Sequence, residues 1–267
     1  MIPLFVALAV CAVLYVLFFL ENRRFQTAFT VCEYRKIRSS FRVVQVSDLH
    51  NKTFGKHQEA LIGAIRDAKP DLIVITGDLF NRHNHAACEH AFAFAKAVVS
   101  IAPTYFSEGN HECSLGETGE RYVSRIAESG VCVLQDAYVD LPQCRLIGLR
   151  QRTEQERIAA LLSSDRFNLV LSHRPERLPV YANAGADVVL CGHAHGGQIR
   201  VLHRGVYAPQ QGLFPKYTEG WYRLGNTRMY VSRGLGNTIA FPRVCNTPEL
   251  NVIDFCPIKE EASESCM

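Results

Sequence analysis

Five short segments between residues 48 and 195 are rich in side chains that bind metal ions. They are Asp48-Leu49-His50, Gly77-Asp78, Gly109-Asn110-His111-Glu112, Ser172-His173 and Gly192-His193-Ala194-His195. Imidazole and carboxylate groups in combination suit Mn, Fe, Zn, Ni or Co rather than Ca. Two aspartates, one asparagine and four histidines from these segments can supply ligands to two divalent ions. The sequence therefore predicts a site for two metal ions.

Each of the five segments follows a short apolar run that predicts a buried strand. The predicted strands cover residues 41–46, 71–76, 103–106, 146–149, 168–171 and 187–190, and the predicted helices cover residues 56–68, 86–99 and 117–129. This alternation is typical of βαβ units. After residue 197, short strands with Gly, Pro and Asn turns predict an antiparallel, hairpin-rich end. Ligands of open α/β sheets bind outside the carboxyl ends of the strands, so we expect the five segments to meet in one site.

The order of the five segments, D-x-H, GD, GNHE, H and GHxH, resembles the signature blocks of the calcineurin-like metallophosphoesterases. The resemblance covers roughly residues 41–256. In the closing part, residues 196–200, 207–209, 212–214 and 234–236 resemble the membrane-anchored or exported bacterial phosphodiesterases of that family. The resemblance implies an α/β fold, a four-layer α/β/β/α sandwich, with a dinuclear metal site.

The same resemblance implies a role for each ligand-type residue. The first metal ion would be held by Asp48, His50, Asp78 and His195. The second would share Asp78 and be completed by Asn110, His173 and His193. A bridging carboxylate is physically sensible, because two cations about 3.5–4 Å apart need anionic charge between them. Mn2+ is the expected metal, with Fe, Zn, Ni or Co as alternatives.

The expected reaction is cleavage of a phosphodiester or pyrophosphate by in-line attack of a hydroxide that bridges the two metals. The Asn110 amide would help to neutralise the equatorial oxygens. His111, which is left without a metal, would face the substrate and protonate the leaving alkoxide or stabilise its charge. Glu112 would either orient a ligand or form a salt bridge.

Several alternatives for substrate and function stay open at this point. The expected substrate is either a soluble phosphodiester or a lipid-linked phosphate. Some anchored members of the family resemble hydrolases of UDP-2,3-diacylglucosamine, which is an example of the second kind. A group of aromatic residues would either pack in the core or form an apolar wall for a lipid. This group is Tyr207, Phe214, Tyr217, Trp221 and Tyr222. A catalytically silent scaffold of the same fold is the alternative outside enzymes, although no ligand or catalytic histidine is missing.

The sequence does not match the residue spacing of other common catalytic motifs. His111-Glu112 begins an H-E-x-x-H pattern, but Leu115 occupies its last position, so no zincin helix is predicted. The G-x-x-x-x-G-K-[ST] pattern of P-loop enzymes is absent from the sequence. Cys113 lies close to His111 in sequence and is a weak candidate for a thiol nucleophile.

The first segment predicts a membrane anchor. Residues 2–20 are uncharged and almost wholly apolar, and as a helix they would span about 29 Å. A cleaved signal peptide needs a basic start and a small-residue cleavage site, and this segment has neither. The segment also lacks the polar stripe expected of a helix in a soluble protein. Basic residues follow this run, so the catalytic domain is expected in the cytoplasm. The predicted organisation is an anchor at 1–22, a basic juxtamembrane segment at 23–40, the catalytic domain at 41–257 and a polar tail at 258–267.

Composition limits the class of protein further. The 267 residues are 48% hydrophobic and 21% charged, which suits one packed globular domain and excludes disorder. The formal net charge of +3 indicates no nucleic-acid partner. The ten cysteines contain no C-x-x-C pair, so reduced thiols in a reducing compartment are expected. The oligomeric state is not indicated.

Overall fold

A computed structural model describes residues 2–237 and 243–258. Its α-helices are α1 (Ile2–Glu21), α2 (Glu59–Asp67), α3 (Cys88–Val98), α4 (Asn110–Ser114), α5 (Glu117–Glu128), α6 (Gln155–Leu161) and α7 (Leu178–Ala184). The first nine strands are β1 (Gln26–Glu33), β2 (Phe41–Val46), β3 (Leu72–Thr76), β4 (Thr104–Ser107), β5 (Cys132–Val133), β6 (Ala137–Asp140), β7 (Arg145–Gly148), β8 (Asn168–Leu171) and β9 (Val188–Cys191). The later strands are β10 (Arg200–Val201), β11 (Arg204–Gly205), β12 (Tyr207–Ala208), β13 (Gly212–Leu213), β14 (Gly220–Leu224), β15 (Thr227–Val231) and β16 (Glu249–Cys256).

Most strands belong to two six-stranded sheets. The first sheet has the order β1-β16-β2-β3-β4-β5, and the second has the order β14-β15-β9-β8-β7-β6. At the centre of the first sheet β2, β3 and β4 run parallel, with Val44 opposite Ile73 and Ile73 opposite Thr104. In the second sheet β7, β8, β9 and β15 run parallel. Parallel central strands bring their carboxyl ends to the same edge of each sheet.

The two sheets pack face to face, and helices cover their outer faces. Between the sheets, Val43 and Val74 of the first sheet share one apolar cluster with Leu169 and Leu190 of the second. A second cluster joins the first sheet to α2, α3 and α5, and a third joins the second sheet to α6 and α7. The layers therefore follow the predicted α/β/β/α order.

Local sequence patterns located the central elements well. The strand at 41–46 and the strand at 168–171 have the predicted bounds, and α5 differs from its prediction by one residue. The pattern did not reveal α6, α7 or β16. It also did not reveal β1, which lies within the segment predicted to be juxtamembrane and pairs in parallel with β16. This pairing joins strands from opposite ends of the chain, so no local pattern could indicate it.

The N-terminal segment forms the helix α1. Over residues 2–237 and 243–258, no helix combines the length and the apolar character needed to cross a membrane, so the predicted transmembrane anchor is not confirmed. The end of α1 is tied to the catalytic domain, because the side chain of Asn22 bonds to both backbone groups of Arg243. Cytoplasmic placement stays a prediction, and residues 259–267 of the predicted tail lie outside the described residues. The nine cysteines in the described part of the chain are free thiols.

Candidate metal centre

The five predicted segments meet at the carboxyl ends of β2, β3, β4, β8 and β9. Five of their residues have backbones in the left-handed region, with φ between 47° and 70°. These residues are Asp48, His50, Asp78, His193 and His195. This conformation is uncommon for residues with a Cβ and costs of the order of 1–3 kcal/mol where it is strained. The turns therefore carry strain at the residues whose side chains converge.

Two glycines let the turns approach each other closely. A Cβ on Gly109 would lie 2.1 Å from Oδ1 of Asp78, and a Cβ on Gly192 would lie 1.9 Å from Oγ of Ser47. Neither position has room for a side chain. The GNHE and GHxH segments therefore need these glycines so that the neighbouring histidines can reach the centre.

The histidine rings are held by hydrogen bonds on their outer nitrogens. Nδ1 of His50 lies 3.3 Å from the carbonyl oxygen of Phe80, and Nδ1 of His173 lies 2.8 Å from that of Thr76. A carbonyl oxygen only accepts, so in each case Nδ1 carries a proton and Nε2 is the nitrogen that points inward. Metal-binding histidines commonly use such a partner to fix the ring and its tautomer. Nε2 of both rings therefore faces the centre and is the nitrogen that can bind a cation.

His193 reaches the centre through its other ring nitrogen. Its Nε2 bonds to the side-chain oxygen of Gln210, so its Nδ1 lone pair faces inward, 3.1 Å from Nε2 of His173. The same residue donates its backbone N–H to the carboxylate of Asp48, at 3.1 Å and 3.0 Å from the two oxygens. Gln210 thus orients the His193 ring, and the His193 backbone orients the carboxylate of Asp48, which follows another strand.

The inward-facing atoms of the proposed ligands form two buried groups, and His50 and Asp78 also form a third group with His111. The first group consists of Asp48, His50 and His195, and the second consists of Asp78, His173 and His193. In the first group, Nε2 of His195 lies 3.4 Å from Nε2 of His50 and 3.4 Å from Oδ1 of Asp48. In the second, Oδ2 of Asp78 lies 3.2 Å from Nε2 of His173. Metal–ligand bonds of about 2.1 Å place neighbouring ligand atoms roughly 3–3.5 Å apart, so each group has the spacing of a metal site.

Asp78 connects the two groups. Its Oδ2 belongs to the second group and also lies 3.7 Å from Nε2 of His50 in the first. Its other oxygen accepts a hydrogen bond from the backbone N–H of His111 at 2.8 Å. One carboxylate oxygen is therefore held by the protein, while the other points between the two groups.

Asn110 supplies a further indication that a cation fits here. Its side-chain oxygen Oδ1 is buried and has no hydrogen-bond partner in the described part of the protein. Buried polar atoms are almost always satisfied, and a buried acceptor that lacks a partner needs an explanation such as an ion. The residues present thus fit a metal centre, with four imidazoles, two carboxylates and one unused amide oxygen.

The electrostatics of the centre reflect its burial. Burial lowers the pKa of His50 and of His193 to about 3, so both imidazoles are neutral at physiological pH. Burial alone would also lower the pKa of His173, but the carboxylates of Asp78 and Asp48 raise it to about 10. Burial raises the pKa of Asp48 to about 6. A proton on His173 thus balances the two acids, and a bound cation would replace it.

Comparison with known proteins agrees with this arrangement. Residues 41–197 match the family model described as calcineurin-like phosphoesterase. The chain belongs to the calcineurin-like phosphoesterase family. It is 30% identical over 227 residues to YkuE of Bacillus subtilis, an uncharacterized metallophosphoesterase, which covers 79% of this chain and 78% of YkuE.

Two further proteins extend the comparison. Over 231 residues the chain is 29% identical to the phosphodiesterase YaeI of Escherichia coli, which covers 80% of this chain and 82% of YaeI. The sulfate thiohydrolase SoxB of Thermus thermophilus superposes with a TM-score of 0.51 at 14% identity, covering 85% of this chain and 58% of SoxB, and so shares the fold. This phosphoesterase is therefore a metal-binding hydrolase that acts on phosphoesters.

His111 lies beside the centre of this phosphoesterase. Its Nε2 is 3.9 Å from Oδ2 of Asp78, farther than Nε2 of His173. Its Nδ1 accepts the backbone N–H of Arg82 at 3.1 Å, so the neutral ring carries its proton on Nε2. Burial lowers the pKa of His111 below its usual range, and the nearby Arg82 adds to this effect, although Asp78 opposes it. At neutral pH the ring is therefore a neutral N–H donor at the edge of the centre.

Glu112 orients the backbone of the site. Its carboxylate accepts hydrogen bonds from the backbone N–H groups of Asp78 at 2.9 Å, Phe80 at 3.1 Å and Gly109 at 2.8 Å. No ion pair of Glu112 occurs among the described residues. Of the two roles predicted for this residue, the structure favours the orientation of a ligand.

Sequence reasoning did not find Arg243, which is wholly buried behind His195. Its Nη2 lies 3.4 Å from Nδ1 of His195, and its guanidinium donates to the carbonyl oxygens of Arg233 and Gly236. Burial lowers the pKa of Arg243 to about 10, so the group stays charged at neutral pH. His195 and Arg243 are 48 positions apart in the sequence, and no motif marks the arginine.

Of the five aromatic residues considered as an apolar wall, only Tyr207 lines the cavity at the metal centre. Tyr217 is buried in the core, and Trp221 packs against the cluster between the sheets. Phe214 and Tyr222 line a separate depression. Cys113 is an exposed thiol in a cleft beside the centre and belongs to neither ligand group.

Proposed function

We propose that this protein is a phosphodiesterase that uses two divalent cations held by seven residues. The first cation would be held by Asp48, His50, Asp78 and His195, and the second by Asp78, Asn110, His173 and His193. The observation that carries the proposal is the position of Asp78 Oδ2, which lies 3.2 Å from Nε2 of His173 and 3.7 Å from Nε2 of His50. A single anionic oxygen between two ligand groups is what a pair of cations requires.

The cations would supply an activated water and would neutralise charge on the phosphate. Asn110 and His111 then act on the substrate from the helix α4, at the start of which both lie. The Asn110 amide would bind a cation through Oδ1 and would offer its N–H groups to a phosphate oxygen. His111 would donate a hydrogen bond from Nε2 to the leaving alkoxide and stabilise its charge, because the backbone N–H of Arg82 occupies its Nδ1.

A phosphodiester is favoured as the substrate over a lipid-linked phosphate. The relative YaeI is named a phosphodiesterase. The cavity of about 340 Å³ at the centre is lined by polar residues and opens beside one aromatic side chain, Tyr207. A lipid chain would need an apolar wall, and four of the five aromatic residues considered for it lie elsewhere.

Hydrolysis assays on the full chain test the proposal. Protein loaded with Mn2+ is assayed with bis-p-nitrophenyl phosphate, p-nitrophenyl phosphate and a lipid pyrophosphate. We expect the diester to have the highest kcat/KM and the Asp78→Asn variant to be inactive. The variant Arg66→Gln is the matched control, because Arg66 is exposed near the end of α2, at the sheet edge opposite the site.

Four results would contradict the proposal in different ways. A monoester preference would assign the site to phosphomonoesters, and a lipid pyrophosphate preference would restore the lipid-linked substrate. No turnover of any substrate with Mn2+, Fe2+, Zn2+, Ni2+ or Co2+ would favour a silent scaffold. Activity that survives in Asp78→Asn would remove the shared carboxylate from the mechanism.

A further inference from the structure

A second, larger cleft opens beside the metal centre. It has a volume of about 720 Å³, within the range of small-molecule binding sites. Three residues, Arg82, Asn110 and Gln210, line both this cleft and the smaller cavity at the centre. Because Asn110 is one of the proposed metal ligands, a phosphate at the centre would lie at the mouth of the cleft. A substrate held at the centre can therefore extend into it.

Arginine dominates the lining of this cleft. Its cationic residues are Arg82, Arg150, Arg152, Arg157 and Arg174, and its acidic residues are Glu108, Asp136 and Glu154. Two of the acids already serve other donors. Asp136 accepts the backbone N–H of Arg150 and the hydroxyl of Thr153, and Glu108 accepts the side-chain amide of Gln135. Five arginines against three acids leave an excess of positive charge, so the cleft attracts anions.

Two of the arginines have guanidinium groups that are free to bind a ligand. Arg150 and Arg152 are exposed, and within the described ranges neither guanidinium makes a hydrogen bond or an ion pair. By contrast, Arg174 is held by Gln151 at 2.9 Å and Glu176 at 3.1 Å. Free guanidinium groups beside fixed ones form a site that can close on an anion.

We propose that this cleft binds a second phosphate group of the substrate while the reacting phosphate lies at the metal centre. The proposal rests on the proposed phosphodiesterase function and specifies its substrate class as diesters that carry an additional phosphate. Guanidinium groups match phosphate geometry through paired N–H donors, and such charge-assisted hydrogen bonds are stronger than neutral ones. Arg150 and Arg152 supply the free donors, and Arg82 lies between the two phosphates.

A matched pair of substrates tests the proposal. Thymidine 5′-(p-nitrophenyl phosphate) and its 3′-phosphorylated form differ only in the second phosphate, and both release p-nitrophenolate. With the metal-loaded protein we expect kcat/KM to be roughly 10–100-fold higher for the second substrate, mainly through a lower KM, because hydrogen bonds to charged groups are worth that ratio. In each of the variants Arg150→Gln and Arg152→Gln, the ratio of the two kcat/KM values should fall about 10-fold. The kcat/KM for the substrate without the 3′-phosphate should change by less than this.

The control variant is Arg66→Gln, which should retain the full preference because Arg66 lies outside the cleft. Calorimetry gives a readout that does not need turnover. Thymidine 3′,5′-bisphosphate and thymidine 5′-diphosphate should both bind more tightly than thymidine 5′-monophosphate. Tighter binding of the bisphosphate would show that the second phosphate lies apart from the first, and tighter binding of the diphosphate would show that the two are adjacent.

The outcomes separate this proposal from the proposed function. Hydrolysis of both substrates at equal kcat/KM, or a preference that both arginine variants retain, would overturn the second-phosphate site and leave the phosphodiesterase intact. Absence of hydrolysis with tight, Arg150-dependent and Arg152-dependent binding of the bisphosphate would overturn the phosphodiesterase and support the site. Equal binding of monophosphate and bisphosphate would overturn the site by itself.

Discussion

The carboxylate of Glu112 accepts a hydrogen bond from the backbone N–H of Asp78 at 2.9 Å, directly behind the carboxylate that joins the two ligand groups. The same carboxylate accepts the N–H groups of Phe80 and Gly109. Three donors from two turns thus converge on two oxygens. Glu112 therefore sets the position of Asp78 through the backbone.

Replacement of Glu112 by Gln should destabilise the protein. The carboxamide keeps one acceptor oxygen, so its NH₂ group would face at least one of the three backbone donors. A buried donor left without an acceptor costs about 1–3 kcal/mol, and we expect this loss in the free energy of unfolding measured in urea. Glu120→Gln, on the exposed face of α5, should change it by less than about 0.5 kcal/mol. Equal losses in both variants would show that Glu112 has no orienting role.

Removal of shared charge at Asp78 should affect both metal sites. After Mn2+ loading, we expect the wild-type protein to bind close to two metal ions per chain, measured by inductively coupled plasma mass spectrometry. Asp78→Asn should fall below one ion per chain, because Asp78 contributes to both ligand groups. Asp48→Asn, which alters only the first group, should retain close to one. Saturation of the wild-type protein at one ion would refute the dinuclear assignment.

His111→Ala should separate hydrogen-bond donation to the leaving group from metal binding. If His111 acts through its Nε2 proton and is not a ligand, the variant should keep the metal content of the wild-type protein and lose about 10²–10⁴ in kcat. The loss should be smaller for nitrophenyl esters than for alkyl esters, since a good leaving group needs no proton. Because His111 also lies within reach of Asp78 and His50, loss of metal from this variant would instead make it a ligand.

The ion pair between Arg42 and Asp254 should make stability depend on pH. These residues are opposite each other on β2 and β16, and the two hydrogen bonds measure 2.6 Å and 2.8 Å. The hydrogen bonds from Arg42 lower the pKa of Asp254 below its usual value. The resulting stabilisation is therefore fully present above the unfolded-state pKa of about 3.9 and is lost as pH falls through the lower folded-state value.

The matching variant is Asp254→Asn, compared with the wild-type protein by urea unfolding. Since both side chains are about one-third exposed, solvent screening limits the expected loss to about 1 kcal/mol or less at pH 7. The difference between the two proteins should become smaller as the pH is lowered below 3.9. A difference that stays constant from pH 7 to pH 3 would show that the hydrogen bonds do not depend on the charge of Asp254.

The sequence by itself located the proposed ligands, because each of them follows a locally recognisable strand. The strand at 41–46 ends just before Asp48, and the strand at 168–171 ends just before His173. Parallel strands present their carboxyl ends at one edge of each sheet, so the turns of one sheet lie together, and the packing of the two sheets joins both sets of turns. The family resemblance rested on the same local segments, which is why residues 41–197 match the family model.

Only the tertiary structure decided which groups surround those ligands. The pairing of β1 with β16 joins the two ends of the chain, and Arg243 reaches His195 across 48 positions. Arg150 and Arg152 look like ordinary surface arginines in the sequence, and their place beside Asn110 depends on how the two sheets pack. Contacts between distant segments follow from packing and not from periodicity, so local patterns locate the catalytic turns but not the residues that support them or extend the site.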